Sequence, residues 1–232
     1  MTSHTVVPQR EWIEARKSLL VKEKEFTRLR DQLSAERREL PWVKIEKEYI
    51  FDGPDGKKSL TDLFGNKSQL MIYHFMLGPE WQEACKSCSF WADNFNGIDI
   101  HLAHRDISFL AVSRAGLEKI QTHQQRMGWS FKWVSSLNND FNYDLGVSFT
   151  EEEKAANEIT YNYLKQGYFI DELPGVSVFY KNDQGDIFHT YSTYSRGLDI
   201  LNGAYNYIDL TPKGRDEAEG IMSWLRMHDQ YE

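Results

Sequence analysis

Residues 69–76, Gln-Leu-Met-Ile-Tyr-His-Phe-Met, run through Leu77-Gly-Pro-Glu-Trp-Gln-Glu-Ala84 into Cys85-Lys-Ser-Cys88, with Phe90-Trp91-Ala-Asp-Asn-Phe95 behind. The nearly continuous apolar run predicts a strand covered on both faces. Behind the cysteines the apolar period turns helical. Cys85 therefore falls where strand gives way to helix, and the first backbone N–H groups of a helix lack intrahelical partners. Those groups and the helix dipole favour a thiolate, so Cys85 is expected to be the more acidic and more exposed sulfur. Cys88 lies one turn inside and faces the interior. Lys86 adds positive charge within the motif; Glu80 and Glu83 oppose it on the approach.

Outward from this stretch, Ile107-Ser-Phe-Leu-Ala-Val112 reads as a second buried strand, and 115–127 as a helix carrying Leu117, Ile120 and Met127. Phe131-Lys-Trp133-Val-Ser-Ser136 is a short strand. Val176-Ser-Val-Phe-Tyr180 and Ile187-Phe-His-Thr-Tyr191 form a hairpin around Asn182-Asp-Gln-Gly185. Between them, 137–173 is a long insert with no strong strand, helical over Glu151–Tyr163. Upstream, Val43–Phe51 alternates and is closed by the turn Asp52–Gly56, and Ser59–Gly65 is a helical turn. Residues 214–228 are expected to close the chain as a helix. Alternating strands and helices imply a parallel core joined by right-handed crossovers, and the final hairpin adds an antiparallel pair. That order is a thioredoxin-like α/β arrangement with a mixed central sheet flanked by helices.

Residues 1–41 form an N-terminal helical extension to a domain spanning 42–232. Pro8 suits the first turn of a helix over 8–40, and Pro41 ends it. Trp12, Leu19, Phe26, Leu33 and Leu40 recur every seven residues, widened by Ile13, Leu20 and Leu29. That stripe reads either as packing on the helix's own domain or as a seam between two subunits of a homodimer, although Lys22 and Glu36 interrupt the second heptad position.

The 232 residues carry a formal net charge of −8 with no basic block, which argues against nucleic acid as the partner. No apolar stretch approaches the length of a membrane span. The start, MTSHTVVPQREW, lacks the pattern of a secretory signal, so a cytoplasmic location is expected. Only two cysteines occur, three apart, which suits redox chemistry better than a disulfide scaffold.

Other uses of the pair compete. A c-type haem site needs His after the second cysteine, where Ser89 stands. Structural zinc needs four ligands; there is no second C-x-x-C, and His101 and His104 more simply decorate a helix surface. A peroxiredoxin nucleophile follows Pro-x-x-x-Thr/Ser-x-x-Cys; the Pro79-to-Cys85 spacing differs and Glu83 replaces the hydroxyl. Two buried, inert cysteines remain a further alternative. No cofactor and no metal are implied. His74, central in the strand that delivers the motif, is either a proton relay to the buried thiol or a hydrogen-bonded core histidine. Pro174, just before the hairpin, is expected to be cis and to sit beside Cys85 across the site.

The run Met76-Leu-Gly-Pro-Glu-Trp81-Gln-Glu-Ala-Cys85-Lys-Ser-Cys88-Ser-Phe-Trp91-Ala-Asp resembles the signature of the bacterial thioredoxin-like family known as domain of unknown function 899. Ala111-Val-Ser-Arg-Ala115, Arg126-Met-Gly-Trp129, Trp133-Val-Ser-Ser136, Phe188-His-Thr-Tyr-Ser-Thr-Tyr194 and Arg196-Gly-Leu-Asp199 resemble its other blocks. The resemblance covers nearly the whole chain. It implies a thioredoxin fold of the peroxiredoxin-like variety, with the extra Trp133 strand and a long insert, and a dithiol–disulfide oxidoreductase. Trp81, inside the signature, joins Lys86, His74 and Pro174 as a candidate supporting residue.

Two functional classes stand at this point. In one, Cys85 attacks a protein or small-molecule disulfide and Cys88 resolves the product; a thiol peroxidase using Cys85 is a variant of this chemistry. In the other, the fold is a non-catalytic binding module whose surface is the tyrosine-rich segment 191–207 (Tyr191, Tyr194, Tyr205 and Tyr207) with Arg196.

Overall fold

The computed structural model describes residues 4–167 and 170–231. The chain divides after Pro41 into two compact units. The first holds helix α1 (Gln9–Arg38), opened by Pro8 and closed with Arg37 and Arg38 in its last turn, where cations suit the dipole. None of its residues is buried.

The second unit begins with strands β1 (Val43–Lys44), β2 (Ile50–Gly53) and β3 (Gly56–Ser59) and helix α2 (Leu60–Leu63). Ser59 and Asp62 cap α2 reciprocally. Strand β4 (Gln69–His74) leads to α3 (Lys86–Ala92) and α4 (Ile98–His104), then β5 (Ile107–Ser113), α5 (Leu117–Arg126) and β6 (Lys132–Ser135). The insert contributes α6 (Phe141–Asp144), α7 (Glu151–Ala155) and a small hairpin of β7 (Ile159–Tyr161) and β8 (Leu164–Gln166). Strands β9 (Gly175–Lys181) and β10 (Ile187–Tyr194) and helix α8 (Gly203–Ile208) follow.

The main sheet runs β1-β10-β9-β4-β5-β6-β2-β3. Strand β4 is parallel to β5 and antiparallel to β9, which pairs antiparallel with β10. This is the thioredoxin core order; β6, parallel to β5, and the β2–β3 hairpin extend it. The 43–51 run does not form one strand. It contributes β1 at one margin of the sheet and β2 near the other, with 45–49 crossing between.

Alternation along β4 decides what each face carries. Leu70 and Ile72 join Phe51, Phe64, Leu110, Val112 and Phe179 in one core layer. Tyr73 and Phe75 join Cys88, Trp91, Phe95, Trp129 and Trp133 in the other. The cysteine pair therefore belongs to the Tyr73 face.

Two expected helices are corrected. The helix expected over 151–163 stops at Ala155, because Asn157 takes a positive φ of 50° and the chain enters β7. The helix expected over 214–228 does not form: Asp216 and Met222 also adopt positive φ, and its polar residues are committed to tertiary partners. Arg215 lies 3.7 Å from the Tyr205 ring centroid and pairs with Asp209. Glu217 accepts from the Tyr205 hydroxyl at 2.6 Å and from Trp224 Nε1 at 3.1 Å.

Candidate thiol site

The backbone itself builds the site. Leaving β4, the chain loops through 77–84 and returns so that the Cys85 N–H donates to the Met76 carbonyl at 3.2 Å. Cys85 then serves as the N-cap of α3, with extended φ/ψ of −63° and 124°. Its Sγ accepts the Cys88 N–H at 3.5 Å, so a sulfur takes the role that a serine or aspartate oxygen usually takes. The Cys85 carbonyl accepts both the Ser89 N–H and the Ser89 hydroxyl at 3.0 Å. Lys119 Nζ donates to the carbonyls of Pro79 (2.6 Å) and Trp81 (2.9 Å), tying the loop before the cysteines to α5.

The two sulfurs have opposite environments. Cys85 is partly exposed, and the Cys88 thiol and N–H with the Ser87 N–H and hydroxyl turn towards it; the thiol's hydrogen bond contributes most, and together they outweigh burial and bring its pKa down to about 7. Cys88 is 1% exposed, and burial, then the neighbouring Cys85 sulfur, pushes its thiol well above the ordinary range. Its Sγ accepts the Met76 N–H at 3.4 Å and faces the buried Tyr73 hydroxyl, both of which ease that rise. Both cysteines are free thiols. Among the described residues no group of three or more His, Cys, Asp or Glu could hold a metal.

Sequence comparison places the chain in a family. The model of a bacterial protein family of unknown function, DUF899, matches residues 1–231. The protein belongs to that family. A comparison with curated proteins finds no match. Among solved structures, similarity is found to the peroxidoxin BcpB of Mycobacterium tuberculosis, at 10% identity over 73% of this chain and 97% of that one, TM-score 0.46. A Xylella fastidiosa PrxQ mutant matches at 14% identity over 68% and 89%, TM-score 0.43. Peroxiredoxin Q of Xanthomonas campestris matches at 12% over 68% and 90%, TM-score 0.45. The thioredoxin-like assignment of this DUF899 chain rests on its strand order.

The remaining expected site residues of this DUF899 member divide. Trp81 is half-buried against the Cys88 layer, its indole turned to the Asp171 carboxylate. Lys86 is exposed on the first turn of α3. His74 is buried, but it points to the opposite face of the sheet from Cys88, so a relay to that thiol is corrected. Its Nε2 lies 2.9 Å from Ser177 Oγ, which lies 2.8 Å from Ser192 Oγ, itself 2.7 Å from His189 Nε2. A bulge between His189 and Tyr191 puts His189 and Ser192 on that same face. Burial holds the His74 imidazole neutral, with its pKa near 3. No described peptide bond is cis, so Pro174 is trans, a second correction; its carbonyl accepts the Tyr161 hydroxyl at 2.7 Å, which holds this segment in place without the expected isomer.

The tyrosine-rich binding surface is largely used up by the core. Tyr194 is buried and donates to the Leu145 carbonyl, Tyr205 is buried, and Arg196 pairs with Asp199; Tyr207 stays exposed. Sequence reading missed Tyr73, Arg114 and Glu172. Glu172, 2% exposed, accepts from Arg114 Nη1 at 3.1 Å and from the Ser148 hydroxyl. Arg114 also lies 4.3 Å from the Tyr143 ring centroid. Desolvation dominates and lifts the Glu172 pKa to about 7. A tyrosine inside an apolar strand, which needs a partner for its hydroxyl, was the available signal for Tyr73.

Proposed function

We propose that the protein is a thiol–disulfide oxidoreductase in which Cys85 is the nucleophile and Cys88 the resolving thiol. The contrast between the two sulfurs supports this: one partly exposed thiol acidified to about 7, first by the Cys88 thiol and then by the backbone N–H groups of the helix start, and one buried thiol kept protonated beside it. The Cys85 thiolate attacks a substrate disulfide, forming a mixed disulfide and expelling one substrate thiolate. Cys88 then gives its proton to the expelled thiolate, directly or through water, and attacks Cys85 Sγ. The second substrate thiolate leaves, and a Cys85–Cys88 disulfide remains. The substrate gains two electrons, and a dithiol or two monothiols must return them to the protein. The partner is a protein or small-molecule disulfide, and a reducing cytoplasm would keep the pair as thiols.

The deciding experiment is intact-mass analysis after exposure to glutathione disulfide. The native chain should lose two protons with no adduct, Cys88→Ser should retain one glutathione, and Cys85→Ser should retain none. A native chain that takes up no oxidising equivalents sinks the reading.

A further inference from the structure

Helix α1 is 30 residues long and buries none of them, yet its apolar residues are not scattered. Taking Trp12, Leu19, Phe26 and Leu33 as heptad position a, position d holds Ala15, Lys22, Leu29 and Glu36. Phe26 is 66% exposed, and Trp12 and Leu19 are each 53% exposed. Single exposed apolar residues are ordinary on protein surfaces, whereas large apolar side chains repeating every seven residues along one helix face mark an interaction site.

The charges beside the stripe identify what covers it. Position g, which precedes each a, reads Glu11, Ser18, Glu25, Gln32; position e reads Arg16, Glu23, Arg30, Arg37. In a parallel two-stranded coiled coil each g faces the e of the next heptad on the other helix. Glu11 then meets Arg16 of a second copy, and Glu25 meets Arg30, each contact occurring twice by symmetry. In an antiparallel pair g faces g and e faces e, which sets glutamate against glutamate and arginine against arginine. From this pattern we infer that α1 pairs with α1 of a second copy of the chain as a parallel, in-register coiled coil.

Within one chain Arg16 pairs with Glu23 at 2.8 Å, and it exchanges this partner for Glu11 of the second helix on dimerisation. Lys22 and Glu36 are polar members of the d column. Charged residues at these seam positions lower the stability of the coil and penalise other registers. Parallel pairing also brings the two copies of Pro41 to the same end of the coil, so both thiol-bearing units follow from one end.

Light scattering on the full-length chain at micromolar concentration should give the mass of two chains. Phe26→Asp should give one chain; because α1 buries nothing, thiol exchange should persist in that monomer. Glu11→Arg with Glu25→Arg should weaken self-association by at least about tenfold, since four attractive contacts become repulsive. Mixing that variant with Arg16→Glu/Arg30→Glu should restore the dimer as a heterodimer. In a Cys85→Ser/Cys88→Ser background, Leu33→Cys should oxidise to a covalent dimer, as only parallel register apposes the two copies of residue 33. A monomeric native chain, a dimer that survives Phe26→Asp, or a dimer in which Leu33→Cys does not cross-link overturns the inference.

Discussion

Cys85 caps the helix that carries Cys88: its Sγ accepts the Cys88 N–H at 3.5 Å, while the thiol of Cys88 remains 1% exposed in the core. One covalent segment thus stabilises a thiolate at its first cysteine and suppresses one at its second. Alkylation of the reduced native protein should modify Cys85 first, with a rate that rises through a midpoint near pH 7, and should leave Cys88 unmodified until the fold opens. Equal rates at the two sulfurs contradict the assignment. The same shift acts on stability. A folded-state pKa below the ordinary thiol value of 9.0 gives a contribution that is complete above about pH 9 and is lost as pH falls through 7. Relative to Cys85→Ser, the reduced protein should gain on the order of 1–2 kcal/mol between pH 7 and 9.

Tyr73 adds a second influence on the buried sulfur. Its hydroxyl faces Cys88 and favours the thiolate that resolution requires. Tyr73→Phe keeps the ring's packing against Phe75 and Phe95 but removes that hydroxyl. Formation of the mixed disulfide at Cys85 should proceed at the native rate. Its resolution should slow by about fivefold, the value of one modest hydrogen bond of ~1 kcal/mol. Stopped-flow measurement of the two steps separates these effects; an equal slowing of both assigns Tyr73 to packing alone.

The parts of the fold that could be read from sequence are those whose signal is contiguous. The β4 run, the C-x-x-C on a strand-to-helix junction and the β9–β10 hairpin each announce themselves within one short uninterrupted stretch. The 43–51 run misleads because alternation specifies a strand but not which sheet margin it joins. Residues 214–228 mislead in another way: Arg215 and Glu217 fit a helix surface, yet they are held by Tyr205 and Asp209 from elsewhere in the chain. His74 shows the same limit at the site. Its place in the sequence before the cysteines is visible, but the face it takes is set by counting from Tyr73 once the strand is fixed.

The face of His74 carries its own expectation. Substituting His74→Gln removes the ring from Ser177 without touching the Tyr73 side of the sheet. Alkylation and exchange rates at Cys85 should therefore match the native chain. Stability should fall by about 1–3 kcal/mol, from imperfect pairing of the buried Ser177 hydroxyl and lost contact with Phe141. A changed thiol pKa with unchanged stability contradicts the opposite-face placement.

Glu172 is the buried carboxyl whose environment most opposes its charge. Desolvation raises its pKa from the ordinary 4.5 to about 7, although Ser148 and Arg114 both pull the other way. A carboxyl with a raised folded-state pKa contributes stability that is fully present below about pH 4.5 and is lost as pH rises through 7. Glu172→Gln keeps the shape and an acceptor oxygen but cannot ionise. The stability difference between the native chain and Glu172→Gln should therefore shift against the native chain by on the order of 3 kcal/mol between pH 4.5 and pH 7. Taking the difference cancels the histidines, which titrate in the same window in both proteins. Arg114→Gln should act in the opposite sense at neutral pH: it leaves a buried carboxylate without its cation, costs about 3 kcal/mol and drives Glu172 towards the protonated form. Urea titrations of the three proteins across that range provide the check. Parallel curves for the native chain and Glu172→Gln would show that Glu172 ionises at an ordinary pKa and that its burial is compensated in full.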